Sequence, residues 1–592
     1  MFPIGVAAST IWPGPPALSV PAPTLLPAIS GCRGPSMLES TLQPYATHYR
    51  VERVTLPLTP APPRAEAARV LPPGSAFTPE ALRERLLGAA LPSRPWMWAA
   101  ALGAALLAGV LRFVRLGEVD TLIFDETYYV KDAYSYLVSG YERAWPEDAN
   151  DSFTSGTPDV LLEGPEYVVH PPVGKWMIAF GMALFGAESS FGWRFSAALT
   201  GTLTVLLLAL IAGRLFKSPL LGAAAGVLLS VDGHHLVHSR TSLLDVFLAF
   251  WVLAAFGALL LDRDDGRRRL ARKLGAQPGA FPSTASLRTG PWLLWRPWRL
   301  AAAVCLGLAV GTKWSALGFV AVFGVMIVLW DISARRVAGI RYWPAGLAKD
   351  GVPAFFTVIP VALATYTATW TGWLLSSDAY GRRWAETNPS AAFGWLPDSI
   401  RSLAEYHRSA VTFHNGLSSE HPYEASAWSW LFLGRPTSFF YETPAPESPG
   451  CGFESCASAI SSVGNPLIWW AALLSLGVAL AYWIGRRDWR AGAMLAGIAG
   501  GYLPWFAFPD RTMFYFYAVA FEPFLILALT FTLGLVLGRP ADTALRRRRG
   551  AVIAACFVAA AILVSAFFYP VWTAENIAYS DWRLRIWMPS WI

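Results

Sequence analysis

The sequence predicts an all-α polytopic membrane protein with about eleven transmembrane helices. Three observations predict it. Hydrophobic residues make up 54% of the 592 and charged residues only 15%, against about 25% charged in soluble domains. Mean hydropathy is +0.40. Apolar runs near the ~20 residues that a helix needs to cross the hydrocarbon core recur from residue 95 onward. The 28 Trp and 34 Phe suit the aromatic belts of membrane interfaces. A string of soluble domains, a disordered chain and a disulfide scaffold are thereby excluded.

Residues 1–94 are rich in Pro and Ala and hold no long apolar run. They read as a mostly disordered cytoplasmic tail with a short helix at 79–90. Residues 1–35 have no Arg/Lys segment ahead of an apolar core, so they make a poor signal peptide, and Met37 is a candidate start. The spans follow at 95–114, 193–213, 219–236, 243–261, 299–312, 315–331, 351–375, 466–484, 491–508, 512–538 and 550–570. The pair 299–312 and 315–331 is the weakest, each member being short around the break Gly311-Thr312-Lys313-Trp314.

Loop charge sets the orientation. Loop 262–298 has eight Arg/Lys and three acids, loop 331–350 carries Arg335, Arg336, Arg341 and Lys349, and Arg546–Arg549 follow residue 538. Basic loops stay in the cytoplasm. With eleven spans the N-terminus is then cytoplasmic and the C-terminus outside, so loops 115–190 and 376–465 are extracytoplasmic. The first holds 13 acids and four bases, the second nine acids and five Arg. The net charge of +7 therefore reports orientation and points to no nucleic-acid partner. The excess of Arg (41) over Lys (6) suggests a GC-rich bacterial genome, hence a bacterial plasma membrane. Cys451 and Cys456 share the second outer loop, where an oxidising exterior allows a short disulfide.

Polar residues that could carry chemistry gather at the outer ends of spans. Asp125 and Glu126 open the first outer loop after Phe124. An acid beside apolar surface can serve as a general base; the plainer reading is two solvated loop acids. Val169-His170-Pro171-Pro172-Val173-Gly174-Lys175 leads into an apolar helix at 173–187, with Lys175 expected to snorkel to lipid headgroups or meet a phosphate. Arg194 sits among aromatic residues at a span end, as a phosphate ligand or a headgroup anchor. Arg240 and Asp245 are expected to pair near the site, since a charge at a span end is costly alone. Lys313, Arg511 and Tyr515 are further candidates on the same side. His234 and His238 lie four apart on one helix face, but no Glu completes a zinc signature. One acid pair with several cations suits transfer of a group from a lipid phosphate to a hydroxyl. A transporter or flippase would need mid-span ion pairs and an internal repeat, and neither is visible.

Phe124-Asp125-Glu126, His170-Pro171-Pro172-Val173-Gly174-Lys175, Trp193-Arg194-Phe195, Ser239-Arg240-Thr241-Ser242-Leu243-Leu244-Asp245 and Gly311-Thr312-Lys313-Trp314-Ser315 occur in an order that resembles the protein O-mannosyltransferases. The similarity is to their bacterial, actinobacterial-type branch and runs from about residue 95 to 592. It implies the multispanning GT-C glycosyltransferase fold. It also implies mannose transfer from a polyprenyl-phosphate (dolichyl-type) donor to Ser or Thr of exported proteins, with inversion. On this resemblance Asp125 is the catalytic base and Glu126 helps place it. Arg194 corresponds to an arginine that serves the lipid-linked donor. Lys175, His170, Arg240 and Lys313 are grouped with the donor phosphate, and Asp245, Arg511 and Tyr515 line the site. The cations can take a metal's part, so no essential metal and no cofactor are expected. Expected partners are membrane lipids, the exported acceptors and the secretion machinery. Loop 376–465 is too short for the MIR domain of eukaryotic relatives, and the acidic insert 146–166 has no derived role. The alternative is a GT-C transferase with the same kind of donor but a lipid or polysaccharide acceptor.

Overall fold

Each expected span falls on a helix. The computed structural model describes residues 77–592 apart from 89–90, 276–281 and 391, so most of the expected tail 1–94 lies outside the described residues. The described helices of eight or more residues are α1 (Pro79–Leu87), α2 (Arg94–Phe113), α3 (Glu126–Ser139), α4 (Val173–Phe185), α5 (Ser190–Phe216), α6 (Pro219–Val231), α7 (Asp245–Leu274), α8 (Pro297–Val310), α9 (Ala316–Val337), α10 (Val352–Thr369), α11 (Asp398–Gly416), α12 (Pro466–Arg486), α13 (Trp489–Tyr502), α14 (Glu522–Leu537) and α15 (Ala544–Phe568). Seven helical stretches are long and apolar enough to cross a membrane; they contain α2, α5, α7, α9, α10, α12 and α15.

Local chemistry sets the helix ends. Ser189, Ser218, Asn465, Asp488 and Thr543 accept a backbone N–H in the first turns of α5, α6, α12, α13 and α15, satisfying donors that a helix start leaves free. Prolines occupy the first turns of α2, α6, α8, α12 and α14, where no N–H is needed. The bundle packs α2 on α5 and α6, α7 on α8, α8 on α10, α9 on α13, and α12 on α14.

Four expected spans are shorter than their apolar runs, among them the run 491–508, whose α-helix ends at Tyr502. The run 219–236 breaks at Asp232, whose carboxylate accepts from His234 N and starts a separate helix, Gly233–His238. The run 512–538 does not begin as a span: residues 515–520 form a buried 3-10 segment before α14. The run 351–375 ends its helix at Thr369. In the runs 219–236 and 512–538 the displaced apolar stretch buries itself in protein at the bundle's end, and hydropathy alone does not separate protein from lipid as the apolar surroundings.

Around the end of the bundle that carries Asp125, α3 packs on α4 and α4 on α5. Between α3 and α4 the acidic insert folds back through Phe153, which packs against Trp145 and Trp193. In the second large loop, β1 (Ser438–Glu442) pairs antiparallel with β2 (Cys456–Ser461), and β2 with β3 (Ile577–Ala578). The Cys451–Cys456 disulfide closes the turn into β2. At the other end, α1 buries Leu82 and Leu86 against Leu270, Ala271 and Leu274 of α7.

Candidate active site

Phe124 adopts a left-handed backbone (φ 49°), a conformation that costs a non-glycine residue on the order of 1 kcal/mol or more. Its ring is held by stacking on Phe439 at 4.7 Å and an edge contact with Phe516 at 5.5 Å. This turn delivers Asp125 and Glu126 to different surroundings.

Glu126 goes inward. Its carboxylate accepts from Arg194 Nε (2.9 Å) and Nη2 (2.7 Å), from Ser242 N (2.8 Å) and from Ile123 N (3.1 Å). Arg194 also donates to the Val119 and Thr121 carbonyls. Both side chains are almost fully buried. Arg194, expected at the donor phosphate, here spends its guanidinium on Glu126 and two loop carbonyls and holds the first loop onto α5.

Lys175 is likewise engaged by acids. It does not snorkel, because its ammonium is buried against Glu142 at 2.5 Å and Asp132 at 3.7 Å. Burial pushes the Asp132 carboxyl up to about 7, with Lys175 opposing the rise. Gly174 is required beside it, since a Cβ there would come within 2.6 Å of Leu244 Cδ2. Arg240 does not pair with Asp245. It donates to the carbonyls of Leu111, Arg112, Val114 and Arg115, where the end of α2 leaves acceptors unsatisfied. Tyr515 is fully buried in the core, its ring 4.4 Å from His234 and 5.2 Å from Trp469. His234 and His238 share a helix face, 4.8 Å apart, packed among Trp469, Phe439 and Phe516.

What remains forms one cluster. Asp125 is half-buried and hydrogen-bonded to Tyr129. Burial pushes its carboxyl up to about 6; Lys313 opposes the rise and Asp245 adds to it. Lys313 Nζ pairs with both Asp245 oxygens at 2.9 and 3.0 Å and lies over the Tyr517 ring at 4.4 Å. The break between α8 and α9 delivers it: α8 is only ~21 Å long at 1.5 Å per residue, and Val173 N donates to Gly311 O at 2.9 Å. Arg511 lies over the opposite partners, Trp505 (5.6 Å) and Tyr517 (5.9 Å), and donates to the His414 and Thr512 carbonyls. It forms no ion pair among the described residues. His170 packs 5.4 Å from His414 and 5.9 Å from Tyr129. Burial first, then nearby Lys313, holds His170 well below the usual imidazole range, so it is neutral.

Sequence reasoning missed the wall on one side. Trp314 Nε1 donates to Tyr366 OH (3.0 Å), Tyr366 OH meets His407 Nε2 (2.5 Å), and His407 Nδ1 donates to Leu403 O (2.7 Å). Trp314 stacks on His407 and touches His414 edge-on. The available signal was the spacing of His407 and His414, seven residues apart on one face of amphipathic α11. Tyr129, one turn beyond Asp125, was available by the same logic.

A half-buried base, an unpaired guanidinium, a lysine and neutral imidazoles can deprotonate a hydroxyl while holding an anionic leaving group. Residues 399–591 match the family described as the C-terminal four TMM region of protein-O-mannosyltransferase, and residues 169–269 match dolichyl-phosphate-mannose-protein mannosyltransferase. A polyprenol-phosphate-mannose–protein mannosyltransferase of Mycolicibacterium smegmatis is 39% identical over 506 residues, 83% of this chain and 93% of the relative. The like-named protein of Corynebacterium glutamicum is 32% identical over 82% of this chain and 92% of its own. The S. cerevisiae protein O-mannosyltransferase Pmt1-Pmt2 complex bound to the sugar donor shares the fold: TM-score 0.64 at 14% identity, over 87% of this chain and 95% of that one.

Proposed function

This chain belongs to the polyprenol-phosphate-mannose–protein mannosyltransferases, and from that premise we propose how its own residues perform the transfer. Mannose moves from a polyprenyl-phosphate carrier to a serine or threonine hydroxyl of an exported protein, by one displacement with inversion. The observation that carries this reading is Asp125, a half-buried carboxylate with a raised pKa in the field of Lys313, with Lys313 and Arg511 both over the Tyr517 ring.

Asp125 takes the proton of the acceptor hydroxyl as its oxygen attacks C1 of mannose. The C1–O bond to phosphate breaks, and its electron pair stays on the phosphate. Arg511, which has no carboxylate to leave, receives that charge, with Lys313 supporting it. A phosphate monoester is a stable leaving group near neutral pH, so no general acid is required. Neutral His170 can share a hydrogen bond without adding charge. Arg194, Glu126, Lys175 and Arg240 act at one remove, by fixing the loop, α4 and the end of α2 around the base. No cofactor or metal is needed, because the two cations do the electrostatic work.

The basic loops 262–298 and 331–350 and Arg546–Arg549 support a cytoplasmic N-terminus, an external C-terminus and a site on the outer face of a bacterial plasma membrane. One assay tests the whole reading. Membranes holding the protein are given radiolabelled polyprenyl-phosphate mannose and a Ser/Thr/Pro-rich exported peptide, with EDTA present. Label in the peptide is expected. Label confined to lipid or glycan favours the alternative acceptor, and loss of transfer in EDTA alone removes the metal-free mechanism.

A further inference from the structure

We propose that the arginine-lined groove between α1 and the far end of α7 binds the phosphate of an anionic phospholipid headgroup. The groove has a volume of about 440 Å³ and is lined by Arg83 and Glu80 of α1 and by Arg268, Arg272 and Asp265 of α7. Asp265 is already neutralised by Arg269 at 2.5 Å. Arg83, Arg268 and Arg272 form no ion pair or hydrogen bond among the described residues. Three free guanidiniums thus face one free carboxylate, Glu80, and the groove keeps an excess of positive charge.

The depth of the groove selects the source of the anion. α7 has 30 residues, so Arg268 lies ~35 Å and Arg272 ~41 Å along its axis from Asp245 at 1.5 Å per residue. The hydrocarbon core is about 30 Å thick and the whole bilayer about 40–45 Å. With Asp245 at the outer boundary, both arginines reach the opposite headgroup layer. Aromatic residues mark the same level. Lys273, next to Arg272, donates to Trp292 O at 2.7 Å, and Trp292, Leu294, Trp295 and Trp298 are exposed beside it, as side chains of an interfacial belt are.

The groove is also held in shape before any ligand arrives. Leu82 and Leu86 are buried against α7, Arg267 donates to Leu86 O at 2.8 Å, and Lys217 donates to Leu87 O at 3.0 Å. A phosphate bridging Arg83 to Arg268 and Arg272 therefore clamps the end of the N-terminal region onto the membrane domain. That the lipid comes from the inner leaflet rests on the orientation proposed above; the binding itself does not.

The test uses the full-length protein in neutral detergent, with phosphatidylglycerol, phosphatidylcholine or inorganic phosphate added, and counts bound lipid by intact-complex mass spectrometry. Phosphatidylglycerol is expected to bind in preference to phosphatidylcholine. Arg83→Gln/Arg268→Gln/Arg272→Gln should weaken it by about fivefold per charge, and the single exposed Arg272→Gln by about fivefold if the triple variant folds poorly. Arg547→Gln/Arg548→Gln, which removes two exposed arginines elsewhere, should leave it unchanged. Equal binding by the parent and the α1–α7 variants, or an equal loss in the Arg547/Arg548 control, overturns the proposal. Displacement of the lipid by equimolar inorganic phosphate overturns the headgroup assignment and leaves a simple anion site.

Discussion

Two polar clusters at opposite ends of the bundle hold the same inventory of two acids and two cations, and they use it differently. At one end Arg296 grips Asp262 bidentately at 2.8 and 2.7 Å, while Arg299 bridges Asp262 at 3.0 Å and Asp331 at 2.6 Å. Every charge there has an opposite in contact, and all four side chains are nearly buried. At the other end, of the four only Lys313 and Asp245 close a pair. Asp125 and Arg511 are left over, one short of a cation and the other of an anion. A closed ring of charge can only hold helices together, because removing any member strands the rest. An open one has a carboxylate free to take a proton and a guanidinium free to take a phosphate.

The largest effect expected from this contrast is its mirror image in two isosteric substitutions. Asp125→Asn should cut transfer by about a thousandfold, within the usual range for a general base, and leave thermal stability unharmed. Asp262→Asn should cost stability by about 3–5 kcal/mol, seen as loss of monodisperse protein on size exclusion, while transfer per folded molecule persists. The reverse pattern would exchange the roles of the two clusters.

A smaller effect separates the free arginine from a consumed one. Arg511→Ala should raise the KM for the donor by about 10- to 100-fold, as loss of a charged hydrogen bond does, with partial recovery in Arg511→Lys. Arg194→Ala should lower the yield of folded protein and leave the donor KM of the survivors near normal. A well-folded Arg194→Ala protein with a raised donor KM would return the phosphate to Arg194.

The smallest effect is a matter of pH. Only ionised Asp125 accepts a proton, and its carboxyl is held near 6. kcat/KM should therefore fall about tenfold per unit below about pH 6 and level off above it. A profile flat across that region would take the base away from Asp125.

Much of the fold was legible along the chain. Apolar runs, capping residues and first-turn prolines are local, so the helices at 95–114, 193–213 and 466–484 were readable without a partner in view. One misplaced boundary has a clear cause: residues 512–521 are as apolar as a span, yet they are buried in protein at the bundle's end. The residues of the candidate site were legible in the chain, and their contacts were not. Asp125, His170, Lys313 and Arg511 do meet, whereas Lys175, Arg194 and Arg240 turn away to Glu142, Glu126 and the end of α2. Tyr515 sits in the core.

By itself the sequence determined which segments favour lipid, where the basic loops lie and which family the motifs belong to, because composition and order are properties of the chain. Only the tertiary structure decided which charges are spent. Arg194 finds Glu126, and Lys313 finds Asp245, each 68 residues away. Whether a cation is free depends on which helix ends converge, and no local pattern encodes that. An ion pair in a low-dielectric interior forms wherever packing brings opposite charges into contact, and what packing leaves unmatched around Lys313 is the chemistry proposed for Asp125 and Arg511.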